Sequence, residues 1–337
     1  MTGSDSSQRT LPDQFGRVAN YLRLSVTDRC DLRCTYCMSE NMTFLPRKDV
    51  LSLEELYRLA TIFMEHGVRK IRLTGGEPLV RKNVMSLFEN LGRHLESGEL
   101  DELTLTTNGS LLSKYAASLA SFGVRRINVS LDTLNADRYK AVTRWGNIDK
   151  VFAGLDAAQE VGLKIKLNAV AQKGIFEKEV DDLIRFAHGR DMDLTVIEEM
   201  PLGSLDARSS TFLSLSDLRY ALEQRWTLER LTDSTGGPAK YVRLQETSGR
   251  IGFITPMSCD FCGDCNRVRL SCTGDIYTCM GKNGSLSLRD ALRQAEGNDV
   301  VAGLIRETVY NKPRGHEFHI SNNSVNGIVR AMSTLGG

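Results

Sequence analysis

The chain has 337 residues, and its 43 Lys and Arg residues nearly balance 42 Asp and Glu residues, giving a formal net charge of +1. Apolar residues make up 41% of the chain, enough to bury a sizeable core, and the near-neutral balance predicts neither a nucleic-acid nor a membrane partner. The polar stretch 1–16 lacks the apolar core of a signal peptide, and no run reaches the roughly 20 apolar residues of a membrane span. We therefore expect a disordered leader over 1–16 and a cytoplasmic protein.

Six β-rich runs alternate with amphipathic segments from residue 21 onward. The predicted strands cover 21–27, 70–75, 103–108, 126–132, 164–170 and 194–200. The predicted helices between them cover 52–66, 82–97, 111–122, 147–161 and 177–188. Strands that alternate with helices predict βαβ units and a parallel sheet, which could be either doubly wound or a partial (β/α)6 barrel.

The alternation within the strands favours the barrel. Side chains two residues apart share one face of a strand, and one face of the first five strands is polar throughout. That face carries Arg23, Lys70, Arg72, Thr104, Thr106, Asn128, Ser130, Lys164, Lys166 and Asn168, and on the sixth strand we expect Val196, Glu198 and Met200. A buried parallel sheet is apolar on both faces, so a polar face predicts a wet interior that holds the active site. The predicted fold class is α/β, a partial (β/α)6 TIM-like barrel over 17–200.

The pattern changes after residue 200. A loop rich in Ser, Gly and Asp covers 201–215, and a predicted helix at 216–225 leads into hairpin strands with Gly and Pro turns. A second cysteine group follows, and then a predicted helix near 286–295. We predict that residues 201–337 form a C-terminal α+β extension that closes the barrel.

The first cysteine group, Cys30, Cys34 and Cys37, has the spacing Cys-x3-Cys-x2-Cys directly after the first strand. Disulfides are disfavoured in a reducing compartment, and a zinc site would need a fourth Cys or His nearby. Ligation by closely spaced cysteines alone suits an iron–sulfur cluster, whose irons are held by thiolates. Three ligands on four irons would leave one iron open, while zinc and purely structural thiols remain alternatives.

The spacing Cys30-x3-Cys34-x2-Cys37, with Tyr36 before the last cysteine, resembles the motif of radical S-adenosylmethionine (SAM) enzymes. This resemblance implies that the open iron of a [4Fe-4S] cluster chelates the methionine end of SAM and that one electron releases a 5′-deoxyadenosyl radical. The TGGEP stretch after the second strand matches the motif that binds the methionine amine in that family. By the same resemblance, the SAM contacts fall on Tyr36, Gly76, Ser130 and Met200.

The second cysteine group contains Cys259, Cys262, Cys265, Cys272 and Cys279, and from spacing alone a zinc ribbon competes with a second cluster. The stretch FCGDCNRVRLS, followed by a later cysteine, resembles the GTP 3′,8-cyclase family of molybdenum cofactor biosynthesis. That resemblance implies a second [4Fe-4S] cluster on Cys262, Cys265 and Cys279, with an open iron that contacts the guanine of GTP. Cys259 and Cys272 are then ordinary thiols, although an exchange of Cys259 into the ligand set stays open.

The resemblance covers nearly the whole chain, so that 17–200 corresponds to the radical SAM barrel and 201–337 to the auxiliary-cluster region. Two departures are visible. Thr195 stands where the family often has an Arg, which could alter the support around Met200, and the first loop reads CDLRC instead of CNFRC.

Basic residues concentrate on the polar strand face and behind the second cysteine group. In a near-neutral protein this concentration predicts an anion, because Arg binds phosphate oxygens bidentately and Lys adds a point charge. Taken singly, each Lys or Arg would be read as solvated surface. The resemblance assigns GTP contacts to Arg23, Arg72, Thr106, Lys166, Arg267, the Val268 backbone and Arg269, and it implies that the tail Gly336-Gly337 reaches the active site.

The resemblance implies a complete reaction. The radical takes hydrogen from ribose C3′, and C3′ attacks guanine C8 to give 3′,8-cyclo-7,8-dihydro-GTP, in the first step of molybdenum cofactor biosynthesis. The implied partners are GTP, a downstream cyclic pyranopterin monophosphate synthase and a flavodoxin- or ferredoxin-type electron donor. Whether the protein forms a homodimer stays open. The alternatives are a radical SAM enzyme acting on a peptide, a zinc-binding module, and a GTP-binding regulator, which the absence of a GxxxxGK[ST] motif disfavours.

Overall fold

The computed structural model describes residues 10–200, 211–232, 236–258, 262–294, 297–316 and 332. The segment 10–16 is part of the folded unit, since Leu11 is 1% exposed and its carbonyl accepts a hydrogen bond from Ala19 N at 2.8 Å. The prediction of a disordered leader over 1–16 is therefore wrong for this segment, because Leu11 finds a place in the apolar core. Among the described residues, no helix is long and apolar enough to cross a membrane.

The described strands form one mostly parallel sheet. They are β1 (Tyr21–Ser25), β2 (Lys70–Thr74), β3 (Glu102–Thr107), β4 (Arg126–Ser130), β5 (Lys164–Ala171), β6 (Asp193–Glu198), β7 (Leu228–Arg230), β8 (Lys240–Leu244), β9 (Arg250–Ile254), β10 (Arg267–Leu270), β11 (Asp275–Tyr277) and β12 (Leu286–Ser287). Their order is β12-β11-β10-β1-β2-β3-β4-β5-β6-β9-β8-β7. The first six strands thus lie side by side in chain order, whereas the strand order of a doubly wound sheet reverses at a switch point. The predicted α/β class is confirmed.

The part of the chain after residue 200 extends the sheet at both sides. β10 pairs with β1 in parallel and is continued by antiparallel β11 and β12. β9 pairs with β6 in parallel and is continued by antiparallel β8 and β7. The second cysteine group therefore enters the sheet next to the strand that leads to the first.

The helices with described bounds are α1 (Leu53–Glu65), α2 (Val84–Glu96), α3 (Leu112–Ser121), α4 (Ala136–Thr143), α5 (Ile148–Glu160), α6 (Phe176–His188), α7 (Leu215–Glu223), α8 (Arg289–Gln294) and α9 (Asp299–Tyr310). Seven of them match predicted helices, whereas α4 and α9 were not predicted.

Local sequence explains the start of α1: Ser52 Oγ accepts from Glu55 N at 3.1 Å and Glu55 Oε2 accepts from Ser52 N at 2.7 Å. This reciprocal capping box satisfies two backbone donors at the helix start.

The two faces of the sheet differ as the alternation predicts. Leu22, Leu24, Ile71 and Leu73 are fully buried in the apolar core, together with the apolar faces of the helices. The opposite face brings polar side chains into register across neighbouring strands. One row holds Arg269, Arg23, Arg72 and Thr104. The next holds Thr106, Asn128, Lys166 and Asp193.

The predicted face of the sixth strand is wrong by one residue. Lys166 and Asn168 on β5 lie opposite Asp193 and Thr195 on β6, while Val196 is fully buried in the core. The alternation Asp193-Leu194-Thr195-Val196 breaks at Ile197 and Glu198, and the predicted face followed Glu198 and Met200 instead of Asp193 and Thr195. A shift of one residue exchanges the two faces of a strand.

Candidate active site

One cavity of about 310 Å³ is lined by both cysteine groups and by the polar face of the sheet between them. Cys30 follows the carboxyl end of β1, whereas Cys265 precedes the amino end of β10, which runs parallel to β1. Cys279 follows β11, which is antiparallel to β10, and so lies at the same end of the strands as Cys265. The two groups therefore lie at opposite ends of the parallel strands, with the polar rows between them.

The first cysteine loop is held by its own backbone and by α4. Cys37 N donates to Cys34 O at 2.9 Å, which forms a turn, and Arg33 N donates to Thr143 O at the end of α4 at 3.1 Å. Burial raises the pKa of Cys30 to about 12 and the pKa of Cys34 well above its usual value. Metal ligands must be thiolates, so these half-buried thiols suit a cation that would supply the missing positive charge.

Gly76 fits tightly against the loop that leads to these cysteines. Its N donates to Thr27 O at 2.8 Å, and a Cβ added at Gly76 would lie 2.3 Å from Arg29 O. Glu77 then joins two strand ends, because its carboxylate accepts from Asn108 N at 2.7 Å and from Thr107 Oγ1 at 2.8 Å. Burial raises the pKa of Glu77 to about 7, against these hydrogen bonds. The missing side chain of Gly76 therefore lets the backbone that leads to the cysteines pack against it. Gly76 also lines the cavity.

We expect Gly76→Ala to lower the free energy of unfolding by about 1–3 kcal/mol, since the added methyl meets backbone that cannot rotate away. The matched control is Gly303→Ala in α9, where an added Cβ meets nothing within 4 Å. Alanine there should raise the stability by up to about 1 kcal/mol. Denaturant unfolding of both variants checks the contrast, and equal stabilities would contradict it.

Tyr36 is tied to the ends of β4 and β5. Its hydroxyl donates to Asp132 Oδ2 at 2.7 Å, and Asp132 Oδ1 accepts from Val170 N at 2.8 Å. Burial raises the pKa of Asp132 to about 6 and the pKa of Tyr36 well above its usual value. The residues predicted for SAM, Tyr36, Gly76, Ser130 and Met200, all line the cavity. Asp132 was missed as a site residue because only the fold brings it to Tyr36.

A row of buried arginines crosses the cavity wall. Arg72 is 6% and Arg269 8% exposed, and burial lowers the pKa of Arg72 to about 10 and that of Arg269 well below its usual value. Among the described residues, Arg23 Nε, Arg72 Nε and Thr106 Oγ1 are buried without a hydrogen-bond partner. Buried polar atoms normally have partners, so these donors indicate an anionic ligand.

Lys166 lies on the same wall beside a tyrosine from the C-terminal part. Its ammonium donates to Tyr241 Oη at 2.8 Å, and burial together with Arg72 lowers its pKa to about 6. Thr195, in place of the family's Arg, is fully buried. A Cβ on Gly252 would lie 2.9 Å from the Tyr241 ring and 3.2 Å from Thr195 Oγ1. The space beside Thr195 is therefore already filled by β8 and β9.

The second cysteine group is surrounded by cations. Lys312 Nζ donates to Cys265 Sγ at 3.3 Å, and Arg267 Nη2 lies 3.8 Å from the same sulfur. Burial tends to raise the pKa of Cys265, but Arg267 and Lys312 outweigh it and lower the value to about 6. Burial raises the pKa of Cys279. The sequence singled out Arg267 but missed Lys312, which is 47 positions from Cys265 along the chain.

The remaining predicted residues divide into three cases. Cys265, Cys279, Arg267 and Arg269 line the cavity with Cys262, whereas the Val268 side chain packs in the core, which leaves only its backbone for a ligand. Cys272 is 1% exposed and does not belong to the described residues that line this cavity. Cys259 and Gly336-Gly337 lie outside the described residues. Among Cys30, Cys34, Cys265, Cys272 and Cys279, no two form a disulfide.

Two family profiles match consecutive parts of this chain. The Radical SAM superfamily profile matches residues 24–187, and the Molybdenum Cofactor Synthesis C profile matches residues 192–318. The GTP 3′,8-cyclase of Mesorhizobium japonicum is 59% identical over 96% of this chain and 99% of that protein. The GTP 3′,8-cyclase of Agrobacterium fabrum is 58% identical over 97% of this chain and 94% of that protein.

A solved structure shares the fold. Streptococcus suis SuiB bound to S-adenosylmethionine superposes with a TM-score of 0.62 at 17% identity, covering 94% of this chain and 73% of SuiB. This similarity concerns the α/β fold with its mostly parallel sheet. The full-length sequence relatives and the Radical SAM profile show that the chain belongs to the GTP 3′,8-cyclase family of the radical SAM superfamily.

Proposed function

We propose that this protein is a radical SAM GTP 3′,8-cyclase that converts GTP to 3′,8-cyclo-7,8-dihydro-GTP in the first step of molybdenum cofactor biosynthesis. The observation that carries the proposal is a single cavity that joins two cysteine groups across a row of buried arginines. The curated relatives that match nearly the whole chain carry this activity in their names. A peptide substrate would not require this buried positive row, which favours the nucleotide over the peptide alternative.

The six βα units are proposed to form a partial (β/α)6 TIM-like barrel over 17–200 whose polar face is the lumen. Support comes from the consecutive order of β1 to β6 and from the cavity that their polar side chains line. The C-terminal region after residue 200 is proposed to close the barrel and to carry the second cluster. In support, β9 and β10 flank the six strands, and the loop before β10 carries Cys262 and Cys265.

The first cysteine group is proposed to hold a [4Fe-4S] cluster through Cys30, Cys34 and Cys37. The donor set fits, since all three thiols line one cavity, and the raised pKa values of Cys30 and Cys34 mean that a bound cation is needed to hold them as thiolates. When bound, the reduced cluster and SAM supply the one-electron chemistry that activates ribose C3′. Tyr36, Gly76, Ser130 and Met200 line the space where SAM would lie.

The second group is proposed to hold another [4Fe-4S] cluster through Cys262, Cys265 and Cys279, with the guanine of GTP at its open iron. The residues that hold GTP are proposed to be Arg23, Arg72, Thr106, Lys166, Arg267, the Val268 backbone and Arg269. The buried guanidiniums suit the triphosphate because Arg donates bidentately to phosphate oxygens. In the proposed arrangement, the triphosphate lies on these guanidiniums, the base lies at the second cysteine group and the ribose faces the first.

The test is anaerobic incubation of the reconstituted protein with SAM, dithionite and GTP. We expect about eight irons per chain, 5′-deoxyadenosine that rises on addition of GTP, and a cyclised product. ATP in place of GTP is the matched control and should give neither response. Zinc in place of iron, or 5′-deoxyadenosine that does not respond to GTP, would overturn the assignment.

Four further points complete the proposal. The product passes to a cyclic pyranopterin monophosphate synthase, and the electron comes from a flavodoxin- or ferredoxin-type donor, as the family resemblance implies. A cytoplasmic location suits a reductive cluster reaction, since the cytosol keeps thiols reduced. The assembly state stays open between a monomer and a homodimer, and the mass of the protein in solution decides between them.

Lys166 should make GTP binding depend on pH. Its pKa of about 6 leaves it mostly neutral above neutral pH, and an arriving triphosphate raises that pKa, so that binding takes up a proton. The affinity should therefore fall as the pH rises above about 6. Calorimetry at about pH 8, where phosphates with a second pKa near 6 are ionised, should show up to about one proton taken up. Lys166→Met should remove this uptake, and an unchanged uptake would contradict the assignment.

A further inference from the structure

Lys312 is a buried lysine whose ammonium lies against the second cysteine group. It is 2% exposed and follows α9 in the chain. Its Nζ donates to Cys265 Sγ at 3.3 Å and to Arg267 O at 2.6 Å. A buried ammonium is strongly unfavourable unless a partner of opposite charge offsets its desolvation, and a ligand thiolate is such a partner.

The chain that carries Lys312 is fastened to the cysteine loop by Arg17. The Arg17 guanidinium donates to Cys262 O at 2.7 Å, to Pro313 O at 2.6 Å and to Arg314 O at 2.8 Å. Its own charge is balanced by Asp13, which it meets at 2.5 Å. The cysteine loop and the segment that follows α9 therefore move together, so the contact between Lys312 and the sulfur is part of the fold.

We propose that Lys312 is a positioning residue that raises the reduction potential of the second [4Fe-4S] cluster through a charged hydrogen bond to the Cys265 sulfur. This inference rests on the proposed function, because it requires Cys262, Cys265 and Cys279 to hold that cluster. Hydrogen bonds to the sulfurs and local net charge set the potential of iron–sulfur clusters. The reduced cluster is the more negative state, so a cation beside one sulfur stabilises it.

The test measures the potential of the second cluster alone. In the full-length chain, Cys30, Cys34 and Cys37 are each replaced by alanine, and Lys312→Met and Lys312→Arg are made in that parent. Methionine removes the charge and the donor at similar length, whereas arginine keeps both. In an anaerobic redox titration followed by electron paramagnetic resonance, we expect the reduced-to-oxidised ratio of the methionine variant to fall about tenfold. This is about 59 mV for a one-electron couple, and the arginine variant should stay within about twofold of the parent.

The outcomes separate the two proposals. An unchanged potential in Lys312→Met, or an equal fall in Lys312→Met and Lys312→Arg, overturns the role of Lys312 while leaving the second cluster in place. Loss of iron from both variants overturns it as well, since Lys312 then serves only to hold the loop. A parent protein without iron would contradict the second cluster itself and overturn both.

Discussion

Replacing Cys279 with alanine is expected to remove the second cluster, about four of eight irons per chain, and to reduce GTP turnover by more than about 100-fold. A residue that only hydrogen-bonds to a metal ligand changes metal affinity or activity roughly 10–100-fold when it is lost, and loss of a ligand itself should have a larger effect. The first cysteine group lies at the other end of the parallel strands, so SAM binding should persist. Iron analysis, SAM binding and product formation under anaerobic conditions measure the three parts of this result.

Cys272→Ala is the matched control for Cys279→Ala. Cys272 is a buried thiol of the same region, and its carbonyl accepts from Leu51 N at 2.8 Å, a backbone contact that alanine retains. The variant should keep the full iron content and turnover, at a cost in stability of about 1 kcal/mol. Retained turnover in Cys279→Ala, or equal losses in both variants, would contradict the proposed ligand set.

Arg269→Met is expected to weaken GTP binding by at least about 30-fold, since a lost charge-assisted contact of about 2 kcal/mol corresponds to that factor. The same change should leave the ligand-free protein as stable as before or more stable. Arg269 is buried in the same row as Arg23, so an apolar side chain of similar length relieves both desolvation and repulsion. Opposite changes in affinity and stability would distinguish a ligand-binding cation from a structural one.

The control for Arg269→Met is Arg243→Met on β8. Arg243 is exposed, so methionine there should change neither the GTP affinity nor the stability by more than about 0.5 kcal/mol. Equilibrium binding of GTP and thermal unfolding without ligand provide the two measurements. A lower stability of Arg269→Met combined with unchanged affinity would show that Arg269 supports the fold instead of the substrate.

The order of the elements could be read from the sequence wherever an element has its own local period. β1 to β5 and most helices follow from alternation, apolar stripes and caps such as Ser52. Three elements escaped this reasoning. α4 buries only Tyr139 and Thr143, too little for an apolar stripe, whereas α9 was missed although Val301, Ile305 and Val309 form such a stripe. The alternation in β6 breaks at Ile197, so the face of this strand was assigned wrongly.

The sequence by itself determined which chemistry is available, because the spacings around Cys30 and Cys262 and the polar alternation are local properties of the chain. Tertiary structure decided where that chemistry acts. Parallel pairing of β1 with β10 brings Arg23 beside Arg269, although 246 positions separate them. Likewise, only the folded chain places Lys312 against Cys265 and Asp132 against Tyr36. Such contacts depend on strand order and register, which arise from packing over the whole sheet and leave no period in the sequence.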